Sequence, residues 1–267
     1  MKEKSFKFQV SSFKFHSSRL KSQVSSLNPQ IGQQNKGKIL ASSAVLLTLL
    51  LWSGKVSAEE QHPHHPLPLD QYIALLEDPK RDEWQKPDEV IKALNLKKGQ
   101  FVADIGAGSG YFTLRLARAV GQKGSVFAVD IDEGMLSYLR QRLSQENLKN
   151  VQVMQVPPHD PLLIDGSADV VFICNVYHHL EDRDVYLRKL RKALKSDGRL
   201  VIVDFYQKEG IPVGPPMHLR LDEETVKKEL QDAGLAVIEK LTFLPYQYIL
   251  IAQPTTSGPA ASPAARQ

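Results

Sequence analysis

Phe101-Val102-Ala103-Asp104-Ile105-Gly106-Ala107-Gly108-Ser109-Gly110-Tyr111 is the stretch from which the rest of the chain is best read. Phe101 to Ile105 is an apolar run interrupted by one acid, Asp104, and Gly106, Gly108 and Gly110 follow at alternating positions. Phe112, Leu114, Leu116, Ala117 and Val120 then recur with helical spacing. Strand, glycine turn and helix in that order is how an α/β domain builds a nucleotide pocket. Glycine lets the backbone turn sharply and lets a ligand lie against it, and the helix start offers unpaired N–H groups.

A dinucleotide fingerprint, G-x-G-x-x-G, would place a third glycine where Tyr111 stands, so that pattern fails here. Instead an acid lies two residues before the first glycine. A carboxylate there repels a pyrophosphate and suits a cation, such as the sulfonium and α-ammonium groups of S-adenosylmethionine (SAM). The pattern D-x-G-x-G-x-G over 104–110 resembles motif I of the class I SAM-dependent methyltransferases, in particular the type 11/25-like members. A second segment, AVDIDEGML at 128–136, and a third, LRKALKSDGRLVIVDF at 190–205, resemble the corresponding family segments. The resemblance covers roughly residues 85–252.

The surrounding pattern predicts an α/β fold: a doubly wound, mostly parallel seven-stranded sheet, helices on both faces and a C-terminal antiparallel hairpin. Buried strands are expected at 125–129, ending in Asp130, at 151–156, at 168–174 and at 199–205, with Lys195-Ser196-Asp197-Gly198 as a turn before the last. Two closing strands fall near 236–243 and 246–252. Helices are expected over 69–77, from Pro87 to Leu94, over 133–146 with Asp132 as cap, over 182–194 and over 222–233; residues 82–87 read as a turn. Cys174 reads as a small core residue. Trp84 reads equally as a packing residue at the domain edge and as a lid over the cofactor mouth. The loop 207–220, with Pro212, Gly214, Pro215 and Pro216, suits a substrate lid.

Asp130 ends the second strand, where an acid is placed to accept hydrogen bonds from both ribose hydroxyls. The resemblance implies the remaining cofactor contacts. Asp104 with Gly106, Ala107, Gly108 and Gly110 would hold the methionine part, and Ile131 would lie against the adenine. Family members often carry an acid after the third strand that meets the adenine amino group. Here the run is Val156-Pro157-Pro158-His159-Asp160, so that contact falls to Asp160. Asn175-Val176-Tyr177-His178-His179 follows the fourth strand, where ligands gather in a doubly wound sheet. Asn175, Tyr177, His178 and His179 are therefore expected to face the methyl donor or acceptor, with the two histidines as candidate general bases and Tyr177 as an aromatic wall. No metal site is assigned.

The chain of 267 residues carries a formal charge of +4, unevenly spread. Residues 1–58 hold nine Lys/Arg against Glu3, which is +8 and leaves −4 for the remainder. A mildly acidic body argues against bulk nucleic-acid binding, and Asn175-Val176-Tyr177-His178 stands where an amino-methylating enzyme would carry N-P-P-[YF]. Ile39 to Trp52 is a 14-residue apolar run after Lys36 and Lys38, followed by Val56-Ser57-Ala58. This reads as a secretory signal peptide cleaved after Ala58, too short for the ~18–20 residues of a membrane span. An uncleaved anchor is the alternative. The expected organisation is a basic leader with signal peptide at 1–58, a linker and N-terminal helix at 59–84, the methyltransferase domain at 85–253 and a disordered tail at 254–267. The histidines 62, 64 and 65 sit in the proline-broken linker.

The expectation that results is an exported, periplasmic SAM-dependent methyltransferase acting on a small-molecule acceptor. A non-catalytic SAM-binding protein or sensor is the alternative, and Tyr111 speaks against a nicotinamide oxidoreductase. Oligomeric state and acceptor atom are not readable. Export conflicts with a cofactor that is made and used in the cytosol.

Overall fold

The computed structural model describes residues 67–256. The leader, the histidine tract and residues 257–267 lie outside the described residues, so the expectations placed on them are not addressed by it.

Seven strands form one sheet among the described residues: β1 (Phe101–Ile105), β2 (Ser125–Asp130), β3 (Val151–Gln155), β4 (Ala168–Cys174), β5 (Leu194–Phe205), β6 (Leu235–Leu241) and β7 (Gln247–Pro254). Their order is β3-β2-β1-β4-β5-β7-β6. All neighbouring pairs are parallel except β5 with β7 and β6 with β7, which run antiparallel. The expected architecture, closing hairpin included, is therefore observed.

The helices are α1 (Leu69–Leu76), α2 (Arg81–Gln85), α3 (Pro87–Ala93), α4 (Thr113–Val120), α5 (Glu133–Gln145), α6 (Arg183–Ala193) and α7 (Glu223–Asp232). Alternate residues of each central strand point to opposite faces. Val102, Val170, Phe172, Val201 and Val203 pack with Val90, Leu94, Leu116 and Val120 of the α3 and α4 region. Ala103, Ile105, Val171, Ile173 and Ile202 pack with Leu187 and Leu190 of α6 and Val226 and Leu230 of α7. Burial on both faces explains why these strands read as largely apolar runs. α5 buries Leu136, Leu139 and Leu143 beside Ala128, and Asp132 caps it by accepting from the Met135 N–H at 2.9 Å.

Three details differ from the pattern-based expectation. Residues 81–85 form α2 rather than a turn, and Lys86 ends it in a left-handed conformation (φ 45°) before Pro87 opens α3. β5 starts at Leu194: Ala168 faces Leu194 while Val170 faces Arg199, so residues 195–198 bulge out of the strand instead of preceding it. Pro254 belongs to the ladder opposite Leu235, and Thr255 N–H donates to Gly234 O at 2.9 Å, so the sheet runs past the expected start of the tail. Trp84 packs on Phe205, ring centroids 5.7 Å apart, which favours the packing reading. Among the described residues no helix is long and apolar enough to cross a membrane.

Candidate functional site

The sheet order reverses between β1 and β4, and a doubly wound sheet opens a crevice beyond the strand ends at such a point. A cleft of about 480 Å³ lies there. Asp104, Ile105, Gly106, Ala107 and Gly108 supply one wall, Asp130, Ile131 and Met135 a second, and Asn175, Val176 and His179 a third.

The glycine turn is tied down from within. Gly106 and Ala107 N–H both donate to Val129 O, at 2.8 and 3.0 Å, and Gly110 N–H donates to Ala107 O at 2.9 Å. Gly108 N–H donates to Asp130 Oδ2 at 2.8 Å. These N–H groups are thus committed inside the protein, and what the turn offers a ligand is room. A Cβ on Gly108 (φ +51°) would meet nothing nearer than 3.8 Å and would stand in the cleft. Gly110 lies outside the lining, packed against Leu139.

Asp104 is buried on β1, and its Oδ2 accepts the Thr113 hydroxyl at 2.6 Å. Burial raises its pKa to about 7; the Thr113 bond opposes this and Asp130 adds to it. A buried carboxyl held near neutrality is ready to ionise when a cation arrives. Asp130 is also raised by burial, opposed by the N–H groups of Asp132 and Gly108. Its Oδ1 accepts from Asp132 N–H at 3.0 Å, and each oxygen keeps acceptor capacity for a hydroxyl.

The Asn175–His179 segment divides. Asn175, in a left-handed conformation (φ 61°), and His179 line the cleft. His178 does not: its side chain is 2% exposed, with Nδ1 2.8 Å from Asp204 Oδ1, and its ring lies against that of His179 at a tilt of 44°, centroids 4.1 Å apart. Tyr177 is buried on the other side, donating its hydroxyl to Glu229 at 2.6 Å. Burial and then that carboxylate push its pKa up. Both residues brace the turn rather than wall the cleft. Burial, and next His178, holds His179 below the usual imidazole range, so it is neutral near pH 7. Asp160 also lies outside the lining. Lys189 Nζ holds its carboxylate at 2.8 Å and draws its pKa down, while Val156 and Pro158 take its place at the cleft.

The sequence pattern did not point to Tyr72 and Leu76 of α1 or Arg81 of α2, which line the same cleft. Residues of the expected linker and N-terminal helix thus close the pocket. Gln85 and Gln247 join Asn175 in a ring of side-chain amides: Gln85 donates to Gln247 at 2.5 Å, Gln247 to Asn175, and Asn175 to Gln85 at 3.1 Å. The ring fastens α2 to the ends of β4 and β7.

A desolvated acid for an ammonium, open space over Gly108, an acid at the β2 end for a ribose and an apolar wall at Ile131 and Met135 fit SAM. A family model described as a methyltransferase domain matches residues 96–245, more than half of the chain. A SAM-dependent methyltransferase from Aquifex aeolicus superimposes with a TM-score of 0.65 at 31% identity, over 70% of this chain and 98% of that one. The chain belongs to the SAM-dependent methyltransferases. A demethylmenaquinone methyltransferase of Lactobacillus johnsonii is 30% identical over 146 residues, 54% of this chain and 57% of the relative. The ubiquinone/menaquinone biosynthesis C-methyltransferase UbiE of Vibrio vulnificus is 33% identical over 116 residues, 43% of this chain and 45% of the relative. The chain spans about half the length of these curated relatives.

Proposed function

We propose that this protein transfers a methyl group from SAM to a small-molecule acceptor, and that the acceptor is a ring carbon of a quinol-type compound. The single observation that carries the methyl-transfer reading is the cleft at the β1–β4 switch point, where Asp104, Gly108 and Asp130 converge. The names of the relatives from Lactobacillus johnsonii and Vibrio vulnificus support the acceptor class.

SAM supplies a methyl group already activated on a sulfonium. The protein's part is to bind, orient and exclude water. Asp104 meets the α-ammonium, Asp130 accepts the ribose hydroxyls, and Ile131 flanks the adenine. His179, neutral and at the cleft wall, takes the proton that the acceptor gives up. His178, locked to Asp204, keeps the neighbouring His179 ring in place.

The test is calorimetric binding of S-adenosylhomocysteine, followed by transfer of labelled methyl to a reduced demethylated quinone with a short side chain. Binding in the micromolar range and label in the ring support the reading. A folded protein that binds no S-adenosylhomocysteine would sink it, and binding with label on an oxygen would sink the carbon acceptor alone. Export through residues 1–58 is a separate proposal, supported by the apolar run Ile39–Trp52. An N-terminus beginning after Ala58 in the mature protein is its expected result, and an intact leader would refute it.

A further inference from the structure

Arg81 is only 9% exposed and reaches the cleft wall from α2. Its Nη1 donates to Leu76 O at 3.0 Å and its Nη2 to Gln85 Oε1 at 3.4 Å. The guanidinium lies over the Tyr111 ring, 3.8 Å from the centroid. These three partners are neutral, and no ion pair among the described residues involves Arg81. Its Nε is buried with no hydrogen-bond partner. Burying a cation without a counter-charge is costly, and a buried donor without an acceptor adds to that cost. A site that keeps such a group at a ligand cleft is built for an anion.

The position of the anion follows from what else the cleft holds. Arg81 is the sole Lys or Arg among the lining residues, against Asp104, Asp130, Asp132 and Glu181. The N–H groups of Gly106, Ala107, Gly108 and Gly110 are already bonded inside the protein, so the glycine turn does not offer them to an anion. Burial raises the pKa of Cys174, at the end of β4; Arg81 lowers it, and Asp204 and then Asp104 raise it. Arg81, Asp104 and Cys174 all line the cleft. The methionine end of SAM carries an ammonium and a carboxylate on one carbon.

We propose that Arg81 is the carboxylate anchor of the cofactor pocket, its planar fork binding the α-carboxylate of SAM while Asp104 meets the α-ammonium. The inference rests on the methyl-transfer reading above. It also gives Tyr111 a role. The aromatic ring that replaces a dinucleotide-type glycine is the platform that aims the guanidinium, with its hydroxyl bonded to Asp82 and Arg115 stacked at 4.5 Å from its centroid.

The experiment is calorimetry of the full chain with two ligands, SAM and decarboxylated SAM, on the wild-type protein and on Arg81→Met. The wild type is expected to bind SAM more tightly than the decarboxylated analogue. Arg81→Met should weaken SAM roughly 10- to 100-fold, the range for a charge-assisted pair, and leave the analogue within about twofold. Arg81→Lys, measured beside it with thermal melting as a folding check, keeps the charge without the fork and is expected to fall between the two. It carries the test if the Met variant does not fold. Equal weakening of both ligands in folded variants would overturn the anchor and leave Arg81 a packing role. Unchanged SAM affinity in a folded variant would overturn it as well. Failure of the wild type to bind SAM would overturn the methyl-transfer reading and this inference together, so the two failures are distinguishable.

Discussion

Replacing Asp104 with Asn separates what the cleft costs in stability from what it provides in binding. An aspartate in an unfolded chain titrates near 3.8, and burial raises Asp104 to about 7 in the folded, ligand-free protein. Between those values the unfolded chain has released a proton that the folded protein still holds. Stability therefore falls as pH rises through this window and levels off above about pH 7. Three pH units at ~1.4 kcal/mol each amount to about 4 kcal/mol for this fully buried group. The Asn variant keeps an acceptor for the Thr113 hydroxyl, 2.6 Å from Asp104 Oδ2 in the wild type, and has no proton to lose. Thermal melts of both proteins should show a difference in Tm that grows from pH 4 to pH 7 in favour of Asn, reaching roughly 10 °C for a domain of this size. Taking the difference cancels the titration of every group not coupled to Asp104; Asp130 is coupled to it. Binding runs the other way. Wild-type affinity for S-adenosylhomocysteine should fall roughly fivefold between pH 7 and pH 6 and about tenfold over the next unit, because the ammonium needs the ionised acid. The Asn variant should bind weakly at every pH. A Tm difference that stays flat across this range would refute the desolvated carboxyl, and wild-type affinity in the Asn variant would refute the ammonium contact.

Asp130→Ala should lower S-adenosylhomocysteine and methylthioadenosine affinity by the same factor, at least about tenfold, since both ligands present the ribose; calorimetry showing loss for one alone would refute the assignment. Gly108→Ala should cost only about 1–2 kcal/mol of stability, for its positive φ, yet impair S-adenosylhomocysteine binding, because its Cβ would enter the open cleft. Gly106→Ala should destabilise more, because its Cβ would overlap Val176; urea unfolding orders the two. His178→Ala should cost about 3 kcal/mol by leaving the buried Asp204 without its imidazole partner and with only the N–H groups of His178 and Phe205. His179→Ala should retain Tm and S-adenosylhomocysteine affinity and lower kcat, and equal kcat in the two variants would remove the proton-transfer role.

The central sheet was legible because its strands are buried on both faces. Val102–Ile105, Val126–Val129 and Val170–Ile173 each read as an apolar run and each became a strand. Asp104 and Asp130 were legible for a related reason: an acid at or next to the end of an apolar run in such a sheet sits at the carboxyl edge. The two histidines were harder. Adjacent residues in a turn diverge, and only one of a neighbouring pair can face the cleft. Which one depends on Asp204, 26 residues away, and local pattern carries no information about that pairing. Asp160 failed as a cleft residue for the same reason: Lys189, on α6, claims it across 29 residues.

The α1–α2 segment shows where local reading stops. Periodicity reports whether a helix has an apolar face, but α1 buries no residue completely and α2 is a five-residue helix without a side-chain cap. Such elements are marginal on their own. Their place is set by contacts of long range: Gln85 reaches Gln247 across 162 residues and Asn175 across 90, and Tyr111 bonds Asp82 across 29. Each contact joins the segment to a residue at the cleft or at the end of a strand beside it. The amide ring sets the position of α2 against β4 and β7, and the Tyr111 ring sets the direction of Arg81. A segment without a strong fold signal of its own is therefore held by the side chains that build the binding cleft. The charge least visible in the sequence pattern, Arg81, and the charge most visible, Asp104, both line that cleft, the one placed by this segment and the other by the sheet.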